Sequence, residues 1–487
     1  MYGCPALRDI LCGQWPVNSH PQERTTLSRL AQPPGFYRAA RLVVKAALYL
    51  FYKRIQVWGR EHIPESGPVV FAANHPNASV DPLLIAAFPQ RVIHYCARAP
   101  IFDRPVLGFL LRQTGAIPLY RKRDDPSLMA KNLESFVRCY EVLACGEALG
   151  IFPEGVSYTG LKLEPVKTGI ARIVLEAEAR HDFALRVRIV PVGLNFRDGY
   201  AFRGEVFVLF GEPIDPSPYF SPYRERPHEA VRDLTGVIRQ RLEALTVNVR
   251  ETAEEGLLHD LDELYAELDV PTESLRDDFQ RRKYLLDACS HFEHTDPVEA
   301  RELRGAIRQY ARLVRVAGVR SKTIGHAQRT QELFGIVGRQ SLRLLVFLPL
   351  AAWGAVNNYL PYLFPRWLAR RLTSDVLQWA RLKMTLGFLV FAVFYAVESY
   401  LVARWWGSLA AGLYALSLAP AGFFTLRYAE WWTEFWANLR VLALRFGRRD
   451  LLRELSRRRQ NLLARLEDCR QRYLENRAII PEEQQVL

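Results

Sequence analysis

The sequence lacks the short motifs that identify several large classes of enzyme. It contains no Walker loop for nucleotide phosphates, no dinucleotide-binding glycine fingerprint, no Cys-x-x-Cys pair and no His-Glu-x-x-His zinc motif. It also lacks the Gly-x-Ser-x-Gly elbow of serine hydrolases, since the nearest string, Gly155-Val-Ser157-Tyr-Thr-Gly160, has the wrong spacing. Any catalysis by this chain is therefore expected to proceed without these cofactor sites and without an activated serine.

Cysteine is scarce, and the seven cysteines in 487 residues are scattered and odd in number. This usage predicts free thiols in a reducing compartment rather than a disulfide framework. The segment His291-Phe-Glu293-His294 is a candidate metal site, but its polar helical surroundings favour an ordinary solvated surface. We therefore expect neither a metal nor a bound cofactor.

The formal net charge of +13 is typical of proteins that meet either nucleic acid or an anionic membrane. An apolar content of 49% with ten tryptophans favours the membrane. A nucleic-acid binder would place its cations beside aromatic or groove-reading elements, whereas here the cations flank apolar runs. We therefore expect membrane lipids, and no nucleic acid, among the partners.

Three apolar runs lie in the C-terminal half. Residues 344–364 and 405–426 contain no charged side chain, and residues 384–403 contain only Glu398. Runs of roughly 20 residues cross a bilayer as helices, and flanking Arg, Lys and Trp mark the interfaces. We predict two or three membrane-spanning helices. A buried helical core is the alternative, because prolines and the Asn357-Asn358 pair interrupt the runs.

The N-terminal region contains two different kinds of segment. Residues 1–35 are polar and turn-rich, so no secretory signal is expected there. Residues 36–58 combine aromatic and aliphatic residues with a few cations, a composition that favours an amphipathic helix in the membrane interface. A plain core helix is the alternative for this segment.

The most informative segment follows an apolar strand near residue 68. His75 enters a turn there, and Asp81-Pro82 begins a new apolar run. Asp caps backbone amides and Pro suits the first helical turn, so a helix should begin at this point. The turn can then bring the Asp81 carboxylate to one nitrogen of the His75 ring, which leaves the other nitrogen free to take a proton from a hydroxyl. His75 and Asp81 are the candidate catalytic residues.

Three further blocks follow in order. The first is the short strand Gly115-Ala-Ile117-Pro118-Leu-Tyr120 followed by Arg121-Lys122-Arg123, the second is Phe152-Pro153-Glu154-Gly155, and the third is Arg188-Ile-Val-Pro191-Val-Gly193. Lys167 lies near a predicted helix start, where backbone amides favour anions. A strand that contains Pro191 is expected at a sheet edge or a strand end.

Taken together, these four blocks resemble the glycerolipid acyltransferase family, the membrane enzymes that acylate glycerol 3-phosphate and lysophosphatidate. The family motif has four residues between His and Asp, whereas this chain has five, a longer form similar to that of the fungal-type glycerol-3-phosphate and dihydroxyacetone-phosphate acyltransferases. The chain also departs from the family at Val156 and Ser157, where Thr and Arg are common. The resemblance implies substrate-binding roles for Arg121 and Lys122 at the acceptor phosphate, for Glu154 and Gly155 at its glycerol end, and for Pro191 in the pocket. Lys167 is a further candidate for binding an anion, because of its place near a predicted helix start.

The resemblance and the alternation of short strands with helices indicate an α/β fold, with a mixed sheet flanked by helices and a helical insert before the membrane segments. The expected organisation is a polar segment at 1–35, an interfacial helix at 36–58, an acyltransferase domain at 59–250, a helical insert at 251–335, a transmembrane region at 336–430 and a C-terminal helix at 431–487.

The expected activity is transfer of a fatty acyl group to glycerol 3-phosphate in phospholipid biosynthesis, with dihydroxyacetone phosphate left open as a second acceptor. The donor would be acyl-CoA or acyl-carrier protein, used as a co-substrate. A lysophosphatidate acyltransferase and a catalytically inactive membrane tether are the alternatives. The protein is expected to be integral to a membrane, with its active site on the cytoplasmic side.

Overall fold

Short apolar runs of the kind that suit buried parallel strands form a single seven-stranded sheet. A computed structural model describes residues 34–78, 80–121, 126–158, 160–197, 201–249, 252–265, 274–319, 330–373 and 376–478. The strands are β1 (Arg54–Trp58), β2 (Val69–Ala73), β3 (Ile93–Arg98), β4 (Ile117–Leu119), β5 (Ala148–Ile151), β6 (Arg188–Arg197) and β7 (Glu205–Phe210).

The strand order is β1-β7-β6-β2-β5-β3-β4. All neighbouring strands are parallel except β6 and β7, which pair antiparallel. β2 therefore lies in the interior of the sheet between β5 and β6, and its five residues are fully buried. The predicted mixed α/β sheet is confirmed.

Helices cover both faces of this sheet. The helices of the sheet region are α1 (Pro34–Phe51), α2 (Asp81–Ala87), α3 (Pro105–Gln113), α4 (Asn132–Ala144), α5 (Gly169–Ala179), α6 (Phe220–Glu225) and α7 (Pro227–Leu245). On one face, side chains of α1 and α2 pack with β2, β6 and β7 in one core. On the other face, α4, α5 and α7 form a second core with alternate residues of β2 and β6 and with residues of β5.

The predicted interfacial helix at 36–58 is too long. α1 ends at Phe51, and residues 54–58 form the edge strand β1, parallel to β7. Ile55, Val57 and Trp58 continue the aromatic and aliphatic composition of α1, so the change from helix to strand is not visible in composition. The sheet therefore begins before the predicted domain boundary at residue 59.

The prediction that Pro191 lies at a sheet edge or strand end is wrong. β6 is an interior strand, and Pro191 lies inside it opposite Ala72 of β2. The strand tolerates a residue without an N–H because β7 ends at Phe210, and its ladder with β6 begins at Val192. The Pro191 carbonyl still accepts a hydrogen bond from Gly211 at 2.8 Å.

The region after the sheet is helical, as predicted. Its helices are α8 (Thr252–Tyr265), α9 (Leu275–Thr295), α10 (Pro297–Ala317) and, near the C-terminus, α13 (Arg449–Ala478). These helices share an apolar core, into which Phe207 of β7 also packs. The insert and the C-terminal helix thus form one helical unit against the β7 side of the sheet.

Two further helices are long and apolar enough to cross a membrane, within residues 333–372 and 386–447. They belong to α11 (Thr330–Leu372) and α12 (Val376–Gly447). Only 17% and 6% of their most apolar windows are buried inside the protein. Core helices of a soluble protein would be covered, so this exposure argues against the buried-core alternative.

α12 reverses direction at Gly407, which has φ 84° and ψ 171°. The hydroxyl of Tyr414 lies 3.4 Å from a Glu398 carboxylate oxygen, although 16 residues of straight helix would span about 24 Å. The Asn358 amide contacts both sides of the reversal, since it accepts from the Tyr395 hydroxyl at 2.6 Å and donates to the Leu418 carbonyl at 3.2 Å. The described part of α11 and α12 therefore provides three apolar helical segments, within the range predicted.

We expect Gly354→Leu to weaken the packing of α11 on α12. Even a Cβ at Gly354 would lie 2.2 Å from the Ala421 carbonyl oxygen, so the two helices would have to separate. Overpacking of this kind costs about 1–3 kcal/mol. The measurement is the melting temperature of the full-length protein in detergent, which should fall.

Gly412→Leu is the matched control, because a Cβ at this glycine of the same hairpin would meet no atom within 4 Å. Its melting temperature should stay close to that of the unmodified protein. Equal losses for the two variants would contradict the packing described for Gly354.

Candidate active site

The candidate site lies where parallel strands end. His75 follows β2, Arg121 follows β4 and Glu154 follows β5, so all three lie at the carboxyl edge of the sheet. Asn74 fixes the end of β2 on β6 through a pair of hydrogen bonds. Its amide donates to the Leu194 carbonyl at 3.0 Å, and its carbonyl accepts from the Leu194 N–H at 2.7 Å. The backbone that carries His75 is therefore held on the sheet.

His75 and Asp81 form the predicted pair. The His75 Nδ1 atom lies 2.9 Å from Asp81 Oδ2, and the Asp81 side chain is fully buried. The same carboxylate oxygen accepts the N–H of Asn77 at 2.8 Å. An Nδ1–H that donates to Asp81 fixes the tautomer in which Nε2 carries a lone pair. Nε2 has no partner among the described residues, so it is available as a base.

The expected capping role of Asp81 is not observed. α2 begins at Asp81 itself, with Val80 as the preceding cap residue and no side-chain cap hydrogen bond. The Asp81 carboxylate is used by His75 and the Asn77 amide instead. Burial raises the pKa of Asp81, and the hydrogen bond from His75 opposes that rise. The charged form of the Asp81 carboxylate is therefore stabilised by the hydrogen bond from His75.

The ring of His75 is also held by an aromatic neighbour. It stacks on Phe152, with ring centroids 4.1 Å apart and an interplanar angle of 21°. Phe152 in turn stacks on Tyr95 of β3 at 6.3 Å. These contacts and the Asp81 hydrogen bond together restrict the rotation of the imidazole.

The turn between His75 and Asp81 is connected to α1. Ala78 in this turn has a positive φ of 37°, a conformation that is uncommon for residues other than glycine. Asn77 is 1% exposed, and its amide donates to the Tyr52 hydroxyl at 3.1 Å. Tyr52 directly follows the last residue of α1. The predicted interfacial helix is thus linked to the catalytic turn by a buried hydrogen bond.

Glu154 supports the backbone of the site. Its Oε1 accepts the N–H of His75 at 2.7 Å, and its Oε2 accepts the N–H of Glu164 at 2.9 Å. Burial raises the pKa of Glu154 to about 7, and the two backbone hydrogen bonds oppose this rise. Both carboxylate oxygens therefore have protein partners, and the predicted contact with the acceptor's glycerol end stays a prediction.

Two predicted cations come together at Gly155. The Arg121 guanidinium donates to the Gly155 carbonyl at 2.8 Å. Gly155 has a φ of 65°, and a Cβ there would lie 2.6 Å from Lys167 Nζ. Arg121 and Lys167 thus lie beside the same backbone unit, next to Glu154. Lys122 lies outside the described residues.

A cavity of about 200 Å³ opens beside His75. Its walls come from the catalytic turn, the segment after Glu154, β6, the segment after α7, and α8. The lining residues are Asn74, His75, Pro76, Glu154, Tyr158, Gly160, Leu161, Lys162, Leu163, Leu194, Asn195, Phe196, Thr246, Val247 and Glu255. Pro191, the remaining predicted binding residue, is buried inside β6 and does not line this cavity.

Three residues that shape the site were missed in the sequence. Asn74 and Phe152 stand inside the motifs, but no local signal shows that Asn74 clamps β6 or that Phe152 stacks on His75. Asn195 accepts the Val247 N–H at 3.0 Å and donates to the Leu245 carbonyl at 3.0 Å, which fixes one wall of the cavity. An asparagine at the end of an apolar strand was the only available signal.

Comparison with known proteins shows similarity to acyltransferases. Residues 54–195 match the family model described as Acyltransferase. Glycerol-3-phosphate O-acyltransferase 1 of Saccharomyces cerevisiae is 25% identical over 299 residues, which cover 43% of this chain and 39% of that protein. Glycerol-3-phosphate O-acyltransferase 2 of the same yeast is 35% identical over 118 residues, covering 24% and 16%.

A relative named for a different acceptor is also similar. The chloroplastic 1-acyl-sn-glycerol-3-phosphate acyltransferase BAT2 of Brassica napus is 28% identical over 184 residues, which cover 36% of this chain and 49% of that protein. The chain thus spans less than half the length of each of these relatives. The resemblance to acyltransferases is confirmed by this match, and the matching residues 54–195 begin with β1.

The raised pKa of Glu154 predicts a pH-dependent contribution to stability. Its folded pKa of about 7 lies above the ordinary value of 4.5, so the folded protein binds this proton more tightly than the unfolded chain does. The contribution is therefore fully present below pH 4.5 and is lost as the pH rises through about 7. The free energy of unfolding, taken relative to Glu154→Gln, should fall over this range in urea titrations of the protein in detergent.

Glu225→Gln provides the control, because Glu225 is exposed at the end of α6. The difference in the free energy of unfolding between Glu225→Gln and the unmodified protein should be the same at pH 4.5 and at pH 7. A pH-independent difference for Glu154→Gln would show that the carboxyl group does not titrate in this interval.

Proposed function

We propose that this protein is a membrane-bound acyltransferase that moves a fatty acyl group from an acyl thioester to glycerol 3-phosphate. The observation that carries the proposal is the His75–Asp81 pair, with its free Nε2 atom beside a cavity in an acyltransferase-family domain. No activated serine is needed, because the base acts directly on the hydroxyl of the acceptor.

The reaction follows from the chemistry of this pair. His75 Nε2 takes the proton from the acceptor hydroxyl as the hydroxyl oxygen attacks the thioester carbonyl carbon. The C–S bond then breaks, and the thiolate receives the proton that His75 held. An ester and a free thiol leave, and His75 returns to its neutral form. Throughout, the Asp81 carboxylate stabilises the transient imidazolium and holds the ring in place.

The acceptor phosphate is assigned to the cationic side of Gly155. Arg121 and Lys167 meet there from separate segments of the chain, and two cations match the charge of a phosphate dianion. The planar guanidinium of Arg121 suits two phosphate oxygens at once. Lys122 is proposed as an additional cation at this position. Glu154 and Gly155 hold the backbone between this anion site and His75. Pro191 is proposed to act on the pocket only indirectly, by supporting β6, whose residues 194–196 line the cavity.

Glycerol 3-phosphate is preferred over lysophosphatidate for two reasons. The motif has the longer spacing of five residues between His75 and Asp81, and the similar proteins include two yeast glycerol-3-phosphate O-acyltransferases. Similarity to 1-acyl-sn-glycerol-3-phosphate acyltransferases makes lysophosphatidate the second acceptor to assay. Dihydroxyacetone phosphate is the third, and each acceptor should be offered separately with acyl-CoA and with acyl-carrier protein.

The proposed location is an integral membrane position with the active site on the cytoplasmic side. The two long apolar helices support membrane insertion, and the cytoplasm is where acyl thioesters are made. The alternative of an inactive tether is disfavoured because the His75–Asp81 pair and the support from Glu154 are complete.

We expect His75→Ala to lower turnover of glycerol 3-phosphate by about 10²- to 10⁴-fold, the usual contribution of a general base. The measurement is incorporation of labelled glycerol 3-phosphate into lipid by the purified enzyme in vesicles. The Ala variant should still fold and insert into the membrane, but its melting temperature should fall somewhat, because the buried Asp81 carboxylate loses its hydrogen bond from His75.

His228→Ala is the control for loss of an imidazole, because His228 is exposed on α7. It should keep normal turnover. A His75→Ala enzyme with near-normal turnover, or an acyl-enzyme isolated from the unmodified protein, would be inconsistent with direct attack.

Arg121→Ala should weaken acceptor binding and leave the donor KM nearly unchanged. Loss of a hydrogen bond to a charged group costs about 1.5–3 kcal/mol, which raises the acceptor KM by roughly 10- to 100-fold. Arg226→Ala removes an exposed arginine paired with Glu229 and should change neither constant. A shift in the donor KM alone would move Arg121 to the donor side of the site.

A further inference from the structure

A short helix near the active-site edge exposes an apolar stripe. α3 contains one charged residue, Arg112, in nine. Val106, Phe109 and Leu110 are 72%, 55% and 43% exposed. Their spacing of three and four residues places these side chains on one face of the helix. Three large neighbouring apolar side chains at this exposure are typical of a surface that has a partner.

The topology places α3 on the same face of the sheet as α1. The crossovers β2-α2-β3 and β3-α3-β4 join parallel strands and advance in the same direction along the sheet. Because such crossovers are right-handed, α2 and α3 lie on one face. α2 shares its core with α1. α4 returns in the opposite direction and packs on the other face.

α1 carries a second exposed apolar stripe on this face. Leu42 and Val43 are each 69% exposed, and Tyr49 and Leu50, seven residues further, are 49% and 39% exposed. A period of seven residues keeps the four side chains on one side of α1. The helices α1, α2 and α3 on this face of the sheet are called the α1–α3 layer. Its outer surface is therefore apolar at two places, on α1 and on α3.

This layer adjoins the long apolar helices. Lys53, just after α1, forms an ion pair with Glu430 of α12 at 3.3 Å. In the segment before β7, Phe202 packs on Tyr362 of α11, with ring centroids 6.3 Å apart. The end of α1 and the hydrophobic helices thus form one continuous region of the molecule.

The charges around α3 suit an anionic lipid surface. Arg98 ends β3, Arg104 precedes α3, and Arg112 lies in its last turn, whereas Asp103 is the only acid nearby in sequence. Arg104 and Arg112 are exposed. In a bilayer, the apolar side chains would contact the acyl layer and the bordering arginines would contact the anionic headgroups.

We propose that α3 is a second lipid-contacting helix, and that the outer stripes of α1 and α3 rest together on a phospholipid bilayer. α3 begins shortly after the carboxyl end of β3, on the edge of the sheet that carries His75. Contact at this helix therefore brings the catalytic edge to the lipid surface. The proposal concerns a surface, and it does not depend on which acceptor is used.

The test is lipid photo-crosslinking in the full-length protein. Benzoyl-phenylalanine is introduced in place of Phe109, in place of Leu42 as the α1 position, and in place of Val137 as the control. Val137 is an apolar residue of α4, 42% exposed on the opposite face of the sheet. Each variant is reconstituted in vesicles of phosphatidylcholine and phosphatidylglycerol, irradiated and analysed by intact mass.

Phospholipid adducts are expected at positions 42 and 109, at least tenfold above the yield at position 137. A yield at position 109 no higher than at position 137 would overturn the proposal. So would crosslinking from position 109 mainly to another segment of this chain or to a second copy, because a protein would then cover the stripe. Melting temperatures of the three variants show whether each is folded, and the readout is independent of acyl transfer.

Discussion

The candidate site depends on one buried hydrogen bond, between His75 Nδ1 and Asp81 Oδ2. Asp81 is fully buried, so its carboxylate is costly to keep charged unless hydrogen-bond donors surround it. The donors are the imidazole and the Asn77 amide, and both come from the same turn. Because the carboxylate needs these donors, the turn must fold back on itself. The base is thereby held in one tautomer at the end of β2.

The rest of the site supports this geometry from a distance. Asn74 joins the end of β2 to β6, Glu154 accepts the His75 amide, and Phe152 stacks on the ring. Asn74 follows β2, and Phe152 and Glu154 both follow β5, at the same edge of the sheet. The parallel arrangement brings several strand ends together, which is why residues distant in sequence meet around the His75 imidazole.

The long apolar helix α12 is coupled to this turn. The Tyr52 hydroxyl accepts the Asn77 amide, and Lys53, the next residue, pairs with Glu430 of α12. A short stretch of chain thus connects the catalytic turn with the long apolar helix. The proposed reaction joins a water-soluble phosphate to a lipid chain, and this connection links its candidate site to the apolar helices.

Much of this protein was determined by local sequence. The order of strands and helices between residues 68 and 211, the His75–Asp81 pair, the apolar helices and the helical insert follow from periodicity, turn residues and motif spacing. The reason is that helix and strand formation depend on residues close in the chain. Composition also allowed the chain to be placed at a membrane, because long exposed apolar helices have few other environments.

Only the tertiary structure decided how distant segments meet. It shortened the predicted helix at 36–58 and gave residues 54–58 to the sheet, because an edge strand is selected by its pairing with β7 and not by its composition. It placed Pro191 inside the sheet, since the missing N–H falls where β7 has already ended. It also joined Arg121 and Lys167 at Gly155 and gave Glu154 two backbone partners. These contacts join residues far apart in the chain, and no local pattern records them.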